Sequence, residues 1–200
     1  MSSSQSVASF ASPLRHATPP AWTTAVLDDF DAFLQDHAAA EKKASGMAIS
    51  MLSHYPDRPE LVAAMADLAV EELVHYREVV KWLHQRGQIT TADSKDPYVG
   101  AFRDVIRRGR DVYLLDRLLT ASIIEARGAE RFALVACALE EGPLQRFYAS
   151  IARSEERHFE LFLQLAERYF DKSVVAARWH TLLDIEADIV RSLPLRAALH

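Results

Sequence analysis

Two segments of the chain place a carboxylate and an imidazole three residues apart inside an apolar helical period: Glu72 and His75 in EELVHYR, and Glu155 and His158 in SEERHFELF. Residues three apart on a helix share a face. Around the first pair that face carries Leu68 and Val79, and around the second Ile151 and Phe162, so both pairs are expected to turn toward a core. Each pair follows a further Glu on an apolar face. Glu41 lies among Ala38, Ala44 and Ala48, 31 residues before Glu72, and Glu125 lies among Ala121, Ala129 and Phe132, 30 residues before Glu155. The two halves read as one helical hairpin used twice. Any fold for this chain must therefore gather four carboxylates in its interior, and burying them without partners is strongly unfavourable.

The rest of the sequence supports an all-α architecture. Gly is scarce at 6, and the 8 Pro stand outside the long periodic runs. A first helix is expected over about 23–53. HYPDRPE ends it, and Asp57 is expected to cap the next helix, with Glu60 completing a capping box and Pro59 in the first turn. That second helix should reach about Arg86 and stop at Gly87. A polar connection and a short helix around 98–108 follow, then helices over about 111–139, 143–170 and 173–192. Long helices of this kind bury their apolar stripes side by side. Tight joints within each hairpin and a long connection between them give a four-helix bundle with a crossover, as in ferritin-like folds, plus an extra C-terminal helix. The expected layout is a flexible tail over 1–20 and one domain over 21–200.

A single Glu-x-x-His pair is ordinarily a surface hydrogen bond. Two pairs on core faces, each preceded by a core-facing Glu at matching distance, instead match the ligand set of di-iron and di-manganese carboxylate bundles. Two divalent cations balance four carboxylates. The single cysteine, Cys137, excludes an internal disulfide and any Cys-only metal site, and is expected in the core. Oxygen-rich, imidazole-containing sites suit iron or manganese. His37, one turn before Glu41, reads either as a partner of that carboxylate or as a structural histidine. Tyr148 and Trp82 read as core or boundary aromatics, and Glu71 and Glu156 as solvated neighbours of the ligands.

The net charge of −5 gives no general case for a nucleic-acid partner, but removing the four interior Glu from the count leaves −1. Arg103, Arg107, Arg108 and Arg110 then form a local basic cluster in the crossover, either a solvated helix face or a set of phosphate contacts. No run of apolar residues is long enough for a membrane span, and MSSSQSVASFASPLRHATPP lacks the apolar stretch of a signal peptide, so a cytoplasmic protein is expected.

DHAAAEKKA (36–44), EELVHY (71–76), LLTASIIEARGAERF (118–132) and SEERHF (154–159) resemble the tRNA 2-methylthio-N6-isopentenyladenosine hydroxylase family, with the likeness running from about Pro20 to the last helix. Where that family commonly has Ser-Cys, this chain has Gly128-Ala129, away from any ligand position. The resemblance implies an oxygen-dependent di-iron monooxygenase that hydroxylates the isopentenyl group of the modified adenosine in tRNA. It implies two iron ions, with Glu41 and His75 terminal on one, Glu125 and His158 terminal on the other, and Glu72 and Glu155 bridging. Dioxygen would be the co-substrate. The chain has no flavin or nicotinamide fingerprint, so a separate reductase or electron-transfer protein would supply two electrons. The rival readings are a ferritin-like iron-oxidising or iron-storing protein and a manganese catalase-like peroxide scavenger.

Overall fold

The computed structural model describes residues 11–200. Its described residues form seven helices and no strand: α1 (Pro20–Asp28), α2 (Phe30–His54), α3 (Pro59–Gln85), α4 (Pro97–Val105), α5 (Arg110–Ala138), α6 (Pro143–Tyr169) and α7 (Lys172–Ser192). Helices α2 and α3 pack along one another as one hairpin, α5 and α6 as the second, and the connection between hairpins contains α4. Helix α7 lies against α5, and α4 against α7. This is the expected all-α, ferritin-like bundle with a crossover and an added helix.

Local chemistry sets the helix ends, not always as expected. The single helix expected over 23–53 is two, because Asp29 leaves helical geometry and accepts from the Ala32 amide at 3.2 Å as the N-cap of α2. The expected capping box of α3 does not form. Its N-cap is Arg58, with no side-chain cap bond, while Asp57 pairs with Arg110 at 2.8 Å and Glu60 with Arg168 at 2.7 Å. Pro59 does occupy the first turn, where its missing N–H costs nothing. Gly87 ends the helix as expected: at φ +74 it lets its own amide reach His84 O and the Gln88 amide reach Leu83 O.

Two apolar clusters fill the bundle. One holds Trp22, Phe33, Leu34, Phe132, Tyr148 and Ile151; the other holds Met51, Met65, Leu68, Leu118, Ile123 and Phe162. Each fully buried side chain of this size stabilises the fold by about 1.5–3 kcal/mol. Along α2 the chain passes from Leu34 in the first cluster to Met51 in the second, and Glu41 falls between. Along α3, Glu72 and His75 fall between Leu68 and Val79; along α5, Glu125 falls between Ile123 and Phe132; along α6, Glu155 and His158 fall between Ile151 and Phe162. The polar residues therefore form one layer between two apolar ones.

Residues 1–10 of the expected flexible tail lie outside the described residues. The part just before α1 is fixed rather than free: Thr18 is buried, and its amide and hydroxyl bond Glu130 at 3.2 and 2.6 Å. Arg127, fully buried, donates to the His16 carbonyl at 2.8 Å and pairs at 2.7 Å with Glu186, which is also fully buried. The Tyr98 hydroxyl donates to the same Glu186 at 3.1 Å. One buried ion pair thus joins the segment before α1 to α4, α5 and α7. Cys137, expected in the core, is exposed. No helix among the described residues is long and apolar enough to cross a membrane.

Candidate metal centre

The six polar side chains of the middle layer converge. Ligand atoms of Glu41, Glu72, His75 and Glu155 lie within 4.8 Å of one another, and so do those of Glu72, Glu125, Glu155 and His158. Glu72 and Glu155 belong to both sets. His75 Nδ1 lies 3.5 Å from Glu72 and 3.6 Å from Glu41, and His158 Nδ1 lies 3.0 Å from Glu72 and 3.9 Å from Glu155. Close as they are, these atoms are out of line for hydrogen bonding. Glu72 Oε1, Glu155 Oε1, His75 Nδ1 and both ring nitrogens of His158 are buried without a hydrogen-bond partner. Buried polar atoms are almost always partnered. Four of these atoms, all but His158 Nε2, face common points between the six side chains, which is what cations there would satisfy, so the residues present fit a metal pair. Gly128, expected to lie away from the ligands, instead packs against one: a Cβ there would sit 3.3 Å from Glu155 Oε2.

The electrostatics are those of crowded charge. Burial pushes the Glu41 and Glu155 carboxyls well above the ordinary range, with neighbouring carboxylates adding to it, and burial raises Glu125 as well. For Glu72 burial acts in the same direction, but its interactions with Glu41, His158 and His75 overcome it and hold the carboxyl low. Burial opposes protonation of the two histidines, yet Glu41 and Glu72 raise His75 to about 10, and Glu72 and Glu125 raise His158 to about 9. Protons on the imidazoles balance the carboxylates where no cation does so.

His37 is both of the things its position allowed. It is fully buried among aromatic rings, and burial lowers it to about 3, so the ring is neutral. Its Nε2 lies 2.6 Å from Glu41 Oε1 and its Nδ1 3.3 Å from the Tyr148 hydroxyl. A neutral ring so placed donates to Glu41 and accepts from Tyr148. Tyr148 is accordingly buried, and Trp82 lies half-buried beside Phe147. Glu71 corrects the expectation of a solvated neighbour. It accepts from Ser154 Oγ and from Arg157 Nη2 at 2.8 Å, and its Oε2 lies 3.3 Å from His158 Nε2. Its signal was the four-residue spacing to His75, which places the two on adjacent turns of α3. Glu156 is half-buried and its carboxyl is raised by burial.

A cavity of about 1050 Å³ opens onto the four carboxylates between α2, α5 and the crossover. Apolar side chains including Met47, Phe102, Ile124 and Phe132 form its walls. Exposed Lys43, Lys95 and Arg103 and half-buried Arg117 and Arg196 also line it. Lys43 donates to the Ser94 carbonyl at 2.8 Å, which leaves its charge without a carboxylate, and Arg196 donates to the His200 backbone oxygen at 3.1 Å.

The arginine cluster expected in the crossover separates. Arg107 is committed to Asp116, a fully buried carboxylate that it shares with Arg178, through its backbone amide at 2.9 Å and its guanidinium at 2.7 Å. Arg110 pairs with Asp57, Arg108 is exposed, and Arg103 alone of the four lines the cavity. The sequence counted charges but could not see that Asp116, nine residues past Arg107, needed one of them.

The family described as tRNA-(MS[2]IO[6]A)-hydroxylase (MiaE) matches residues 5–200. A Pseudomonas putida protein named tRNA 2-(methylsulfanyl)-N(6)-isopentenyladenosine(37) hydroxylase is 35% identical over 175 residues, covering 88% of this chain and 85% of that protein. A Salmonella typhimurium protein of the same name is 32% identical over 157 residues, 78% of this chain and 57% of that one. Among solved structures, a Synechococcus protein with aldehyde deformylating oxygenase activity superposes with a TM-score of 0.87 at 31% identity, covering 94% of each chain. With matches spanning nearly its whole length, and with the paired hairpins in place, the chain belongs to the tRNA-(MS[2]IO[6]A)-hydroxylase (MiaE) family.

Proposed function

We propose that this chain hydroxylates the isopentenyl group of 2-methylthio-N6-isopentenyladenosine in tRNA, with two iron ions held by Glu41, Glu72, His75, Glu125, Glu155 and His158. The observation that carries the reading is the convergence of these six side chains, the four carboxylates among them at the inner end of a largely apolar cavity with a basic outer edge. Glu41 and His75 would hold one ion, Glu125 and His158 the other, and Glu72 and Glu155, common to both sets, would lie between. Bound there, the pair supplies reductive activation of dioxygen, with two electrons from an external donor. The balance is one C–H bond, one dioxygen, two electrons and two protons giving one alcohol and one water.

The chain's own residues account for binding and positioning. Phe102, Phe132, Ile124 and Met47 offer an apolar lining to a prenyl chain and its base, and displace water from the carboxylates. His37, held by Tyr148, fixes the Glu41 carboxylate. Lys43, Lys95, Arg103, Arg117 and Arg196 lie where phosphates flanking an inserted nucleotide would pass. This basic edge favours a polyanionic substrate over an uncharged aldehyde, the class suggested by the Synechococcus relative. An extended RNA interface through Arg107 and Arg110 is not part of the proposal, since both are paired within the protein.

Nucleoside mass spectrometry of tRNA from cells with and without the protein tests the reading. The expected result is loss of the hydroxylated nucleoside and accumulation of its precursor, reversed by the wild-type chain but not by His158→Ala. An unchanged nucleoside ratio would refute it.

A further inference from the structure

The cavity reaches the centre on its carboxylate side: Glu41, Glu72, Glu125 and Glu155 line it and the two histidines do not. The histidines lie on the other side, between the carboxylates and the outer faces of α3 and α6. Each presents Nδ1 to the carboxylates, and each turns Nε2 toward one residue, Glu71. His75 Nε2 lies 3.9 Å from Glu71 Oε1 and His158 Nε2 lies 3.3 Å from Glu71 Oε2. The carboxylate is itself held, since Ser154 Oγ and Arg157 Nη2 both donate to Oε1, and Arg157 Nη2 also bonds Ser154 Oγ at 2.9 Å.

We propose that Glu71 is a positioning residue for both halves of the metal centre, one carboxylate orienting two histidine ligands; the inference rests on the two-metal reading given above. A carboxylate at the outer nitrogen of a metal-bound imidazole keeps the proton on that nitrogen, leaves the lone pair on the inner one, and makes the ring a stronger donor. Here the two oxygens of Glu71 divide between rings on different helices, so it ties α3 to α6 across the histidine side of the site. Sharing has a consequence that separate partners would not have: losing this one side chain weakens both ions together.

The test is metal binding rather than turnover. Anaerobic Fe²⁺ is titrated into metal-free wild type, Glu71→Gln, Glu71→Ala and Arg157→Ala in competition with a chelator of known affinity. Glu71→Ala is expected to lose roughly ten- to a hundredfold in affinity at both sites, the usual effect of removing such an outer partner. Glu71→Gln, whose amide oxygen still accepts, is expected to lose less, and being nearly isosteric it keeps the comparison open if the Ala variant folds poorly. Arg157→Ala should stay within about a few-fold of wild type, because an exposed ion pair contributes little. Unchanged affinity in both Glu71 variants, a loss confined to one site, or an equal loss in Arg157→Ala would each overturn the inference. A wild type that takes up no metal would overturn the metal-centre reading and this inference with it.

Discussion

Chelation followed by melting across pH tests the electrostatics of the centre directly. His75 is held at about 10 and His158 at about 9, against an ordinary 6.5 for both. A histidine raised in the folded state stabilises the protein fully below 6.5, and that contribution disappears as pH rises through the folded value. At about 1.4 kcal/mol per pH unit, His75 alone corresponds to about 5 kcal/mol and His158 to about 3 kcal/mol. Both draw on the same carboxylates, Glu72 above all, so the joint effect is on the order of 5 kcal/mol rather than the sum. Glu41 and Glu155, raised by burial, act with the same sign: their contribution is full below 4.5 and is lost as pH rises through their folded values. Glu72, held low, acts oppositely, and its contribution fades as pH falls below 4.5. The chelated protein is therefore expected to be most stable in mild acid and to lose stability steadily between pH 6.5 and 10. At about 2–4 °C per kcal/mol for a chain of this size, the melting temperature should fall by roughly 10–20 °C over that window. The metal-loaded protein should stay nearly flat there, because ligated histidines are already neutral and the ions balance the carboxylates. Calorimetric melts of loaded and chelated protein in matched buffers make the comparison. Parallel curves, or a chelated protein that gains stability as pH rises, would mean that these six side chains are not electrostatically coupled.

Other perturbations follow from named contacts. Arg127→Met leaves Glu186 buried without its cation, and urea denaturation should show a loss of about 3–5 kcal/mol. His37→Phe keeps the packing against Phe132 but removes the donor to Glu41, so chelator competition should show metal affinity lowered roughly tenfold or more with helicity intact. Combined replacement of Lys43 and Lys95 by Ala should reduce the slope of log tRNA affinity against log salt by about 1 for each phosphate that the two lysines neutralise, at unchanged melting temperature. Arg107→Ala should do the reverse, lowering the melting temperature with little change in the salt slope, because Asp116 is deprived of a partner.

What was legible in the sequence was whatever helical geometry alone decides. Three-residue spacing puts Glu72 beside His75 and Glu155 beside His158, and near-equal offsets put Glu41 and Glu125 at matching depths of two like hairpins. No partner need be known for that inference, only the period of a helix and the cost of burying charge. The same reasoning placed Gly87 at the end of α3, since a positive φ there is a property of the backbone itself. It failed at Asp29, where an acidic side chain within an otherwise helical period chose to cap the second of two helices.

The failures share a cause, which is that a spacing specifies a face but not who stands opposite it. Asp57 had the position of an N-cap, yet Arg110 lies 53 residues away and within 2.8 Å of it. Arg107 had the look of a free cation, yet its guanidinium is committed to the buried Asp116 carboxylate, which it shares with Arg178. Glu71 had the look of a solvated neighbour, because the residue before a core position turns outward on an isolated helix. In the bundle that outward direction meets α6, and the side chain finds Ser154, Arg157 and His158 there. The polar layer consequently extends one shell beyond the six residues marked by spacing: His37 and Tyr148 behind Glu41, and Glu71 behind the histidines. These outer residues hold a crowd of like charges in one geometry between two apolar clusters, which is the condition for a preorganised site. Of the carboxylates that the cavity reaches, Glu41 is backed by His37 and Tyr148, and the histidines beyond them by Glu71, groups that a substrate in the cavity need never touch.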